Sequence, residues 1–311
     1  MLETDKNLVN VVLASNKEFF IGLLVTIASV LHSEKNGSIN IHVIDGGITD
    51  EQWDSLSGHV SKYKSLSKLQ RHKLDDEILD GITAHGEFTK LTYARVLIPH
   101  LLDSDYAVYI DSDFVVSKQI SDLLFYRNTD AIVMGVMEPN RTLLMDLPWM
   151  KNLGITTPYI NAGILFINLK KWREFNSTVK LMDFLRKESY RLPMVDQAAI
   201  NYILQGRIGV LPNEWNLFAN QIDIGGFQLS PGKVNIHFNS GFKPWKRPLP
   251  YLSHKIWWMY FDEYLSGHKI INPFLDIKNV LRYSSRIKPS NIFKIRDSLA
   301  RWKGHWRSLL Y

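Results

Sequence analysis

From Leu8 onward, short runs of β-branched and apolar residues alternate with longer segments of helical periodicity, and the alternation persists for about 240 residues. Strands that recur singly between helices belong in a mostly parallel sheet wrapped in helices, because each parallel neighbour needs a crossover to reach its place. Strands are read at 8–14, 39–44, 69–73, 107–110, 131–136 and 160–169, and helices at 19–31, 51–63, 92–101, 179–190 and 196–204. The 160–169 run is almost continuous Ile, Leu and Phe, the pattern of a strand buried on both faces. In the 92–101 helix Tyr93, Val96 and Leu97 face inward, and Pro99 marks its end. The longest apolar stretch, Phe19 to Leu31, has 13 residues and includes Gly22, Thr26 and Ser29. A membrane-spanning helix needs about 20, so this one is read as a buried helix.

Ligands of such sheets gather at the carboxyl ends of the strands, and there the chain places Tyr-Ile-Asp-Ser-Asp-Phe-Val-Val, residues 109–116. Side chains alternate along an extended chain, so Asp111 and Asp113 point the same way across Ser112 and can share one divalent cation that holds phosphates. The structural alternative is that one Asp caps a helix or sits in a turn. His237 lies in a predicted strand that runs into a small-residue loop carrying Lys243. A lone His is more often structural, but Asp, Asp and His together suit an ion of the Mn²⁺ type with positions left open for phosphate oxygens. Lys243 would set a point charge on the same phosphates. With no Cys in the chain, any metal falls to Asp, Glu and His, and disulfides are excluded.

Asp111-Ser-Asp113, Asn161-Ala-Gly163 followed by an apolar strand and Asn168-Leu169, Asp196-Gln197, and His237-x5-Lys243-Pro-Trp245 resemble, in order and spacing, the retaining glycosyltransferases of family 8. The likeness is greatest to bacterial lipooligosaccharide α-galactosyltransferases and lipopolysaccharide glucosyl- and galactosyltransferases, and it covers roughly residues 8–246. It implies a glycosyltransferase A fold, Rossmann-like, that binds UDP-hexose and Mn²⁺ (or Mg²⁺). Asp111, Asp113 and His237 would be the metal ligands. The donor would be held by Ala14, Ser15, Asn16, Arg95, Asp111, Ser112, Asn161, Ala162, Asp196, Gln197, Ser240 and Lys243. Gln197 resembles the residue beneath the anomeric carbon, where it would stabilise an oxocarbenium-like state. A covalent double displacement by Asp196 is the other mechanism. Two positions depart from the family pattern. Asn16 stands where many members have an Asp, and Ser240 where the loop usually has Gly, with Gly241 displaced by one.

The net charge of +6 is concentrated at one end. Residues 278–311 hold nine Lys or Arg against Asp297 alone, a net of +8, so the rest of the chain carries −2. Ile292, Ile295, Leu299, Trp302, Trp306 and Leu309 recur there at helical spacing. Two roles fit this stripe, a helix packed on the domain or an interfacial helix whose Trp residues sit at the headgroups of an anionic membrane. The expected organisation is a catalytic domain over 1–250 and a basic, aromatic membrane-association segment over 251–311. The N-terminus mixes acids and bases and does not resemble a signal peptide, so the expected location is cytoplasmic, peripheral to the inner face of the plasma membrane. The expected partners are a UDP-sugar and a glycan or glycolipid acceptor, with no nucleic acid. Two other classes compete: a Mg²⁺-dependent phosphohydrolase, which also places Asp-x-Asp after an apolar strand, and a non-catalytic membrane-bound nucleotide-sugar-binding module.

Overall fold

The structure, a computed structural model, describes residues 8–264 apart from 36, 85–88, 142–143, 145, 147, 156–157, 193, 225–232 and 250. The basic stretch 278–311 and its Trp-bearing stripe lie outside the described residues.

Seven strands form the main sheet: β1 (Leu8–Ser15), β2 (Ser38–Asp45), β3 (Leu66–Lys73), β4 (Tyr106–Ile110), β6 (Val133–Met137), β7 (Ile160–Asn168) and β8 (Ile208–Leu211). Their order is β3-β2-β1-β4-β7-β6-β8. Every pairing is parallel except the two made by β7, so one reversed strand lies inside an otherwise parallel sheet, as the alternation of elements predicts. A small second sheet, β5-β10-β9, joins Phe114–Val115, Ile236–His237 and Leu217–Phe218.

Alternation along the strands feeds two cores. Val9, Val11, Leu13, Val108 and Ile110 face the layer that contains helix α1 (Phe20–Ser33). Val12, Ala107 and Tyr109 face the other layer, built from a 3-10 segment (Lys90–Leu97) and the helices α6 (Ser177–Glu188) and α7 (Val195–Ile203). In β7, Ile160 and Ala162 share a layer with Leu165 and Ile167, so the alternation slips by one near Gly163. Opposite, the β6 register shifts between Gly135 and Met137. Such irregularities re-aim side chains, and this one sits at the cleft.

Six further helices complete the numbering: α2 (Asp50–Val60), α3 (Ile98–Leu101), α4 (Pro148–Leu153) and α5 (Leu169–Glu174) lie before α6, and α8 (Ala219–Asp223) and α9 (Leu252–Tyr264) after α7. The expected helix over 92–101 differs in kind. It is the 3-10 segment running into α3, and Pro99 sits in the first turn of α3 rather than ending it. A first-turn proline loses no hydrogen bond, because the early N–H groups of a helix have no partner inside it.

The polar residues of the apolar stretch have a structural task. Thr26 Oγ1 donates to Phe114 O (2.9 Å) and accepts from Phe114 N (3.1 Å), and Ser29 Oγ accepts from Val116 N (2.9 Å), so α1 grips the strand that follows Asp113. Gly22 lets the first turn of α1 approach the same region, since a Cβ there would lie 2.7 Å from the Trp245 ring. Helix α9, on the tail side of the boundary drawn at 250, buries Ile256, Trp257, Trp258, Tyr260 and Phe261 in the α1 core. At roughly 1.5–3 kcal/mol for each large apolar side chain, that burial makes α9 integral to the fold. Trp258 Nε1 donates to Pro244 O (3.2 Å) and Trp257 packs on Trp245, so α9 also braces the loop after His237. No helix among the described residues is long and apolar enough to cross a membrane.

Candidate active site

At the carboxyl edge of the sheet β4 ends at Ile110, and a tight turn over Ser112–Asp113 leads into β5. Asp111 N donates to Gly163 O (2.8 Å) and Ser112 Oγ to Ala14 O (2.7 Å), which pins the turn to β7 and β1. The expected strand alternation does not bring the two carboxylates together; this turn does, and it aims both at His237. The second sheet delivers His237, paired in register with Phe114 on one side and Phe218 on the other. Its ring stacks on Phe114 at 4.3 Å and meets the edge of Phe218 at 5.6 Å.

Each carboxylate gives one oxygen to a protein donor and turns the other toward the imidazole. Asp111 Oδ1 accepts from Tyr109 Oη (2.7 Å) and Arg95 Nη2 (2.9 Å), leaving Oδ2 3.8 Å from His237 Nε2. Asp113 Oδ2 accepts from Lys243 Nζ (2.6 Å), leaving Oδ1 buried, without a hydrogen-bond partner and 3.3 Å from Nε2. Burial alone would raise the Asp113 carboxyl, but Lys243 and His237 outweigh it and hold the group well below the usual carboxylate range. A buried carboxylate oxygen with no partner costs several kcal/mol. The three residues bring ligand atoms within 4.8 Å of one another, and a divalent cation among them would satisfy that oxygen. Two carboxylates and an imidazole are hard-to-borderline donors of the kind that suits such ions.

Arg95 is the second organiser. Its Nε lies 2.8 Å from Asp196 Oδ2, its Nη1 donates to Ala162 O, and its guanidinium sits over the Tyr109 ring at 4.3 Å. Burial opposes its charge, but Asp111 and Asp196 more than compensate and keep it ionised. Burial also raises the Tyr109 phenol, so that group stays a donor. Asp196, in the first turn of α7, has its carboxyl raised to about 6, chiefly by burial and against the pull of Arg95. The preceding Val195 has φ 35°, a strained value for a β-branched residue, so the turn presenting Asp196 and Gln197 is held by its surroundings.

Behind these groups runs a chain of amides. Gln197 Oε1 accepts from Ala162 N (3.1 Å) and Asn161 Nδ2 (3.0 Å), and its Nε2 donates to Glu138 Oε2 (3.2 Å). Asn161 Oδ1 accepts from Gly163 N (2.9 Å) and from Asn216 Nδ2 (2.8 Å). His237 Nδ1 lies 3.0 Å from Asn216 Oδ1.

All the expected residues except Ser240 line one cavity of about 440 Å³, from Ala14, Ser15 and Asn16 past the Asp turn to Asn161, Ala162, Asp196, Gln197, His237 and Lys243. Ser240 is exposed and outside the lining; Asn239 is part of it. Asn16 Oδ1 already accepts from Glu18 N (3.0 Å) and Phe19 N (3.1 Å) in the turn that starts α1, so the group it has left for a ligand is Nδ2. Among the lining carboxylates and cations, four acids (Asp111, Asp113, Glu138, Asp196) face two bases (Arg95, Lys243), a formal excess of two negative charges that a divalent cation would neutralise. Tyr109, Glu138, Val195, Asn216 and Asn239 are not among the individual site residues expected from the sequence. Tyr109 was recoverable, standing two residues before Asp111 and so on the same side of the strand. Asn216 was not, because an isolated Asn in a loop carries no pattern.

Comparison with known proteins agrees with this fold. The galactosyltransferase LgtC, solved with donor and acceptor sugar analogues, superposes with a TM-score of 0.71 at 18% identity, over 86% of this chain and 99% of that one. At that identity the likeness establishes the fold, which is of the glycosyltransferase A type. A lipopolysaccharide 1,2-glucosyltransferase of Escherichia coli is 23% identical over 253 residues, 78% of this chain and 74% of its own. A lipopolysaccharide 1,3-galactosyltransferase of Salmonella typhimurium is 24% identical over 257 residues, with the same coverage. The model of glycosyl transferase family 8 matches residues 10–248, a span that contains the Asp turn, the Asn161–Gln197 amides, His237 and Lys243; the chain belongs to that family of glycosyltransferases.

Proposed function

We propose that the protein transfers glucose or galactose from a UDP-sugar, with retention of configuration, to a glycan or glycolipid acceptor of the lipopolysaccharide type. A divalent cation, Mn²⁺ or Mg²⁺, would be held by Asp111, Asp113 and His237. The observation that carries the reading is the unpartnered Asp113 Oδ1, buried at 3.3 Å from His237 Nε2 in the same cavity as Gln197 and Lys243. When bound, the cation supplies Lewis-acid stabilisation of charge on the departing diphosphate. Lys243, fixed by Asp113 Oδ2 and Phe238 O (2.7 Å), adds a positive charge at that end. Gln197 is a preorganised dipole, held on both sides of its amide. Asp196, the nucleophile of the alternative double displacement, is paired with Arg95, which weakens it and favours attack by the acceptor on the face the diphosphate leaves. Belonging to a glycosyltransferase family supports this over the phosphohydrolase and binding-module readings.

The acceptor class is suggested by what the relatives are named for, and the +8 stretch over 278–311 supports a peripheral site on an anionic inner membrane face. The test is UDP release from a panel of UDP-sugars with and without Mn²⁺, followed by NMR of the product anomer. Metal-dependent release from UDP-glucose or UDP-galactose, with retained α configuration, is the expected result. Turnover that ignores metal, or an inverted product, refutes the proposal.

A further inference from the structure

We infer that Asn216 is a positioning residue that fixes the tautomer of His237 and ties it to the Asn161–Gln197 amide pair. Asn216 is 2% exposed and does not line the cavity, so it acts through its neighbours. The orientation of the whole chain follows from two backbone N–H groups, which can only donate. Gly163 N–H makes the Asn161 atom it meets the carbonyl oxygen; Ala162 N–H does the same for Gln197. Asn161 Oδ1 can then only accept, so the Asn216 atom 2.8 Å away is its NH₂, and the Asn216 atom facing His237 at 3.0 Å is its carbonyl oxygen. His237 Nδ1 must therefore carry a proton. Nε2 is then the nitrogen that a neutral ring offers to a cation as a lone pair, and it faces Asp111 Oδ2 and Asp113 Oδ1. A neutral ring with its only proton on Nε2 would set two acceptors against each other at Nδ1.

The inference deepens the proposed metal site and rests on it for its metal-binding arm, but its tautomer arm does not. The first measurement is the ¹⁵N spectrum of metal-free, ¹⁵N-histidine-labelled protein at pH 8, with His237 assigned through His237→Gln. The expected signal is a protonated Nδ1; a pyridine-type Nδ1 overturns the inference whether or not metal binds. The second is Mn²⁺ affinity by calorimetry. Asn216→Leu removes the acceptor and should weaken Mn²⁺ binding by about 10–100-fold. Asn216→Asp keeps an acceptor for Nδ1–H and should hold affinity within a few-fold of wild type. It loses the donor to Asn161, so kcat for UDP release should fall about tenfold while Mn²⁺ affinity stays. Equal Mn²⁺ affinity in wild type and Asn216→Leu, or equal loss in both variants, overturns the coupling. Should Asn216→Leu fail to fold, Asn216→Asp and the wild-type spectrum still decide. If the wild type binds no Mn²⁺, the metal reading fails, and the spectrum alone judges the relay.

Discussion

Gly163→Ala is the most incisive single-atom perturbation of this site. Gly163 has no unusual backbone angle; what it supplies is space. A Cβ there would lie 2.8 Å from His237 Nδ1 and 2.9 Å from Asn161 Oδ1, and nearer still to His237 Cε1, where ordinary contact begins at 3.4 Å. The ring would have to retreat by at least about 0.6 Å (3.4 against 2.8 Å). Phe114 stacked at 4.3 Å and the edge of Phe218 leave it nowhere to go without tilting. Tilting draws Nε2 away from Asp113 Oδ1 and strains the bond to Asn216. Misplacing one of three protein ligands on this scale should lower Mn²⁺ affinity and UDP-sugar turnover each by about 100-fold. Overpacking should cost only about 1–3 kcal/mol of stability, so the variant remains folded. Mn²⁺ calorimetry, UDP release and thermal unfolding on the same preparation separate these effects. A folded Gly163→Ala protein with wild-type Mn²⁺ affinity would show that His237 is not confined as argued.

Asp113→Ala and His237→Ala should each reduce metal-dependent UDP release by at least about 1,000-fold while circular dichroism is unchanged, and near-wild-type rates in either would remove it from the ligand set. Thr26→Val leaves the Phe114 N–H and C=O buried and unpaired, so denaturant titration should show a loss of about 1–3 kcal/mol. His42, buried at 3.0 Å from His72 and 3.1 Å from Asn10, has its pKa lowered to about 4, first by burial and then by His72 and Lys68. A depressed histidine stabilises the fold above its unfolded pKa of 6.5, and that contribution is lost as pH falls toward 4. The loss is of order 2 kcal/mol after discounting for solvent along the edge strand. His42→Gln should flatten the decline in urea midpoints between pH 7.5 and 4.5. Deleting residues 290–311 should leave UDP release intact and reduce binding to anionic liposomes, most visibly at low salt; unchanged liposome binding would assign the attachment elsewhere.

The amino-acid sequence by itself determined the layered α/β class, the buried strand at 160–168 and the candidate ligands, because side-chain period and local runs of Val, Ile and Leu report on a residue's immediate surroundings. Asp111, Asp113, His237 and Lys243 were legible as a chemical set, since their types and spacing constrain what they can bind. Where those side chains meet was decided by long-range contacts that local pattern does not encode. The turn at Ser112–Asp113 replaces simple alternation because Thr26 and Ser29, nearly 90 residues earlier, hold the strand beyond it. The helix over Leu252–Tyr264 joins the core because its aromatic face meets α1, a contact invisible in a segment whose composition resembles its basic continuation. Asn216 matters only through neighbours at 161 and 237, and its polarity is set by two backbone N–H groups on β7. A hydrogen-bond direction belongs to the assembled network, so no single stretch of chain contains it.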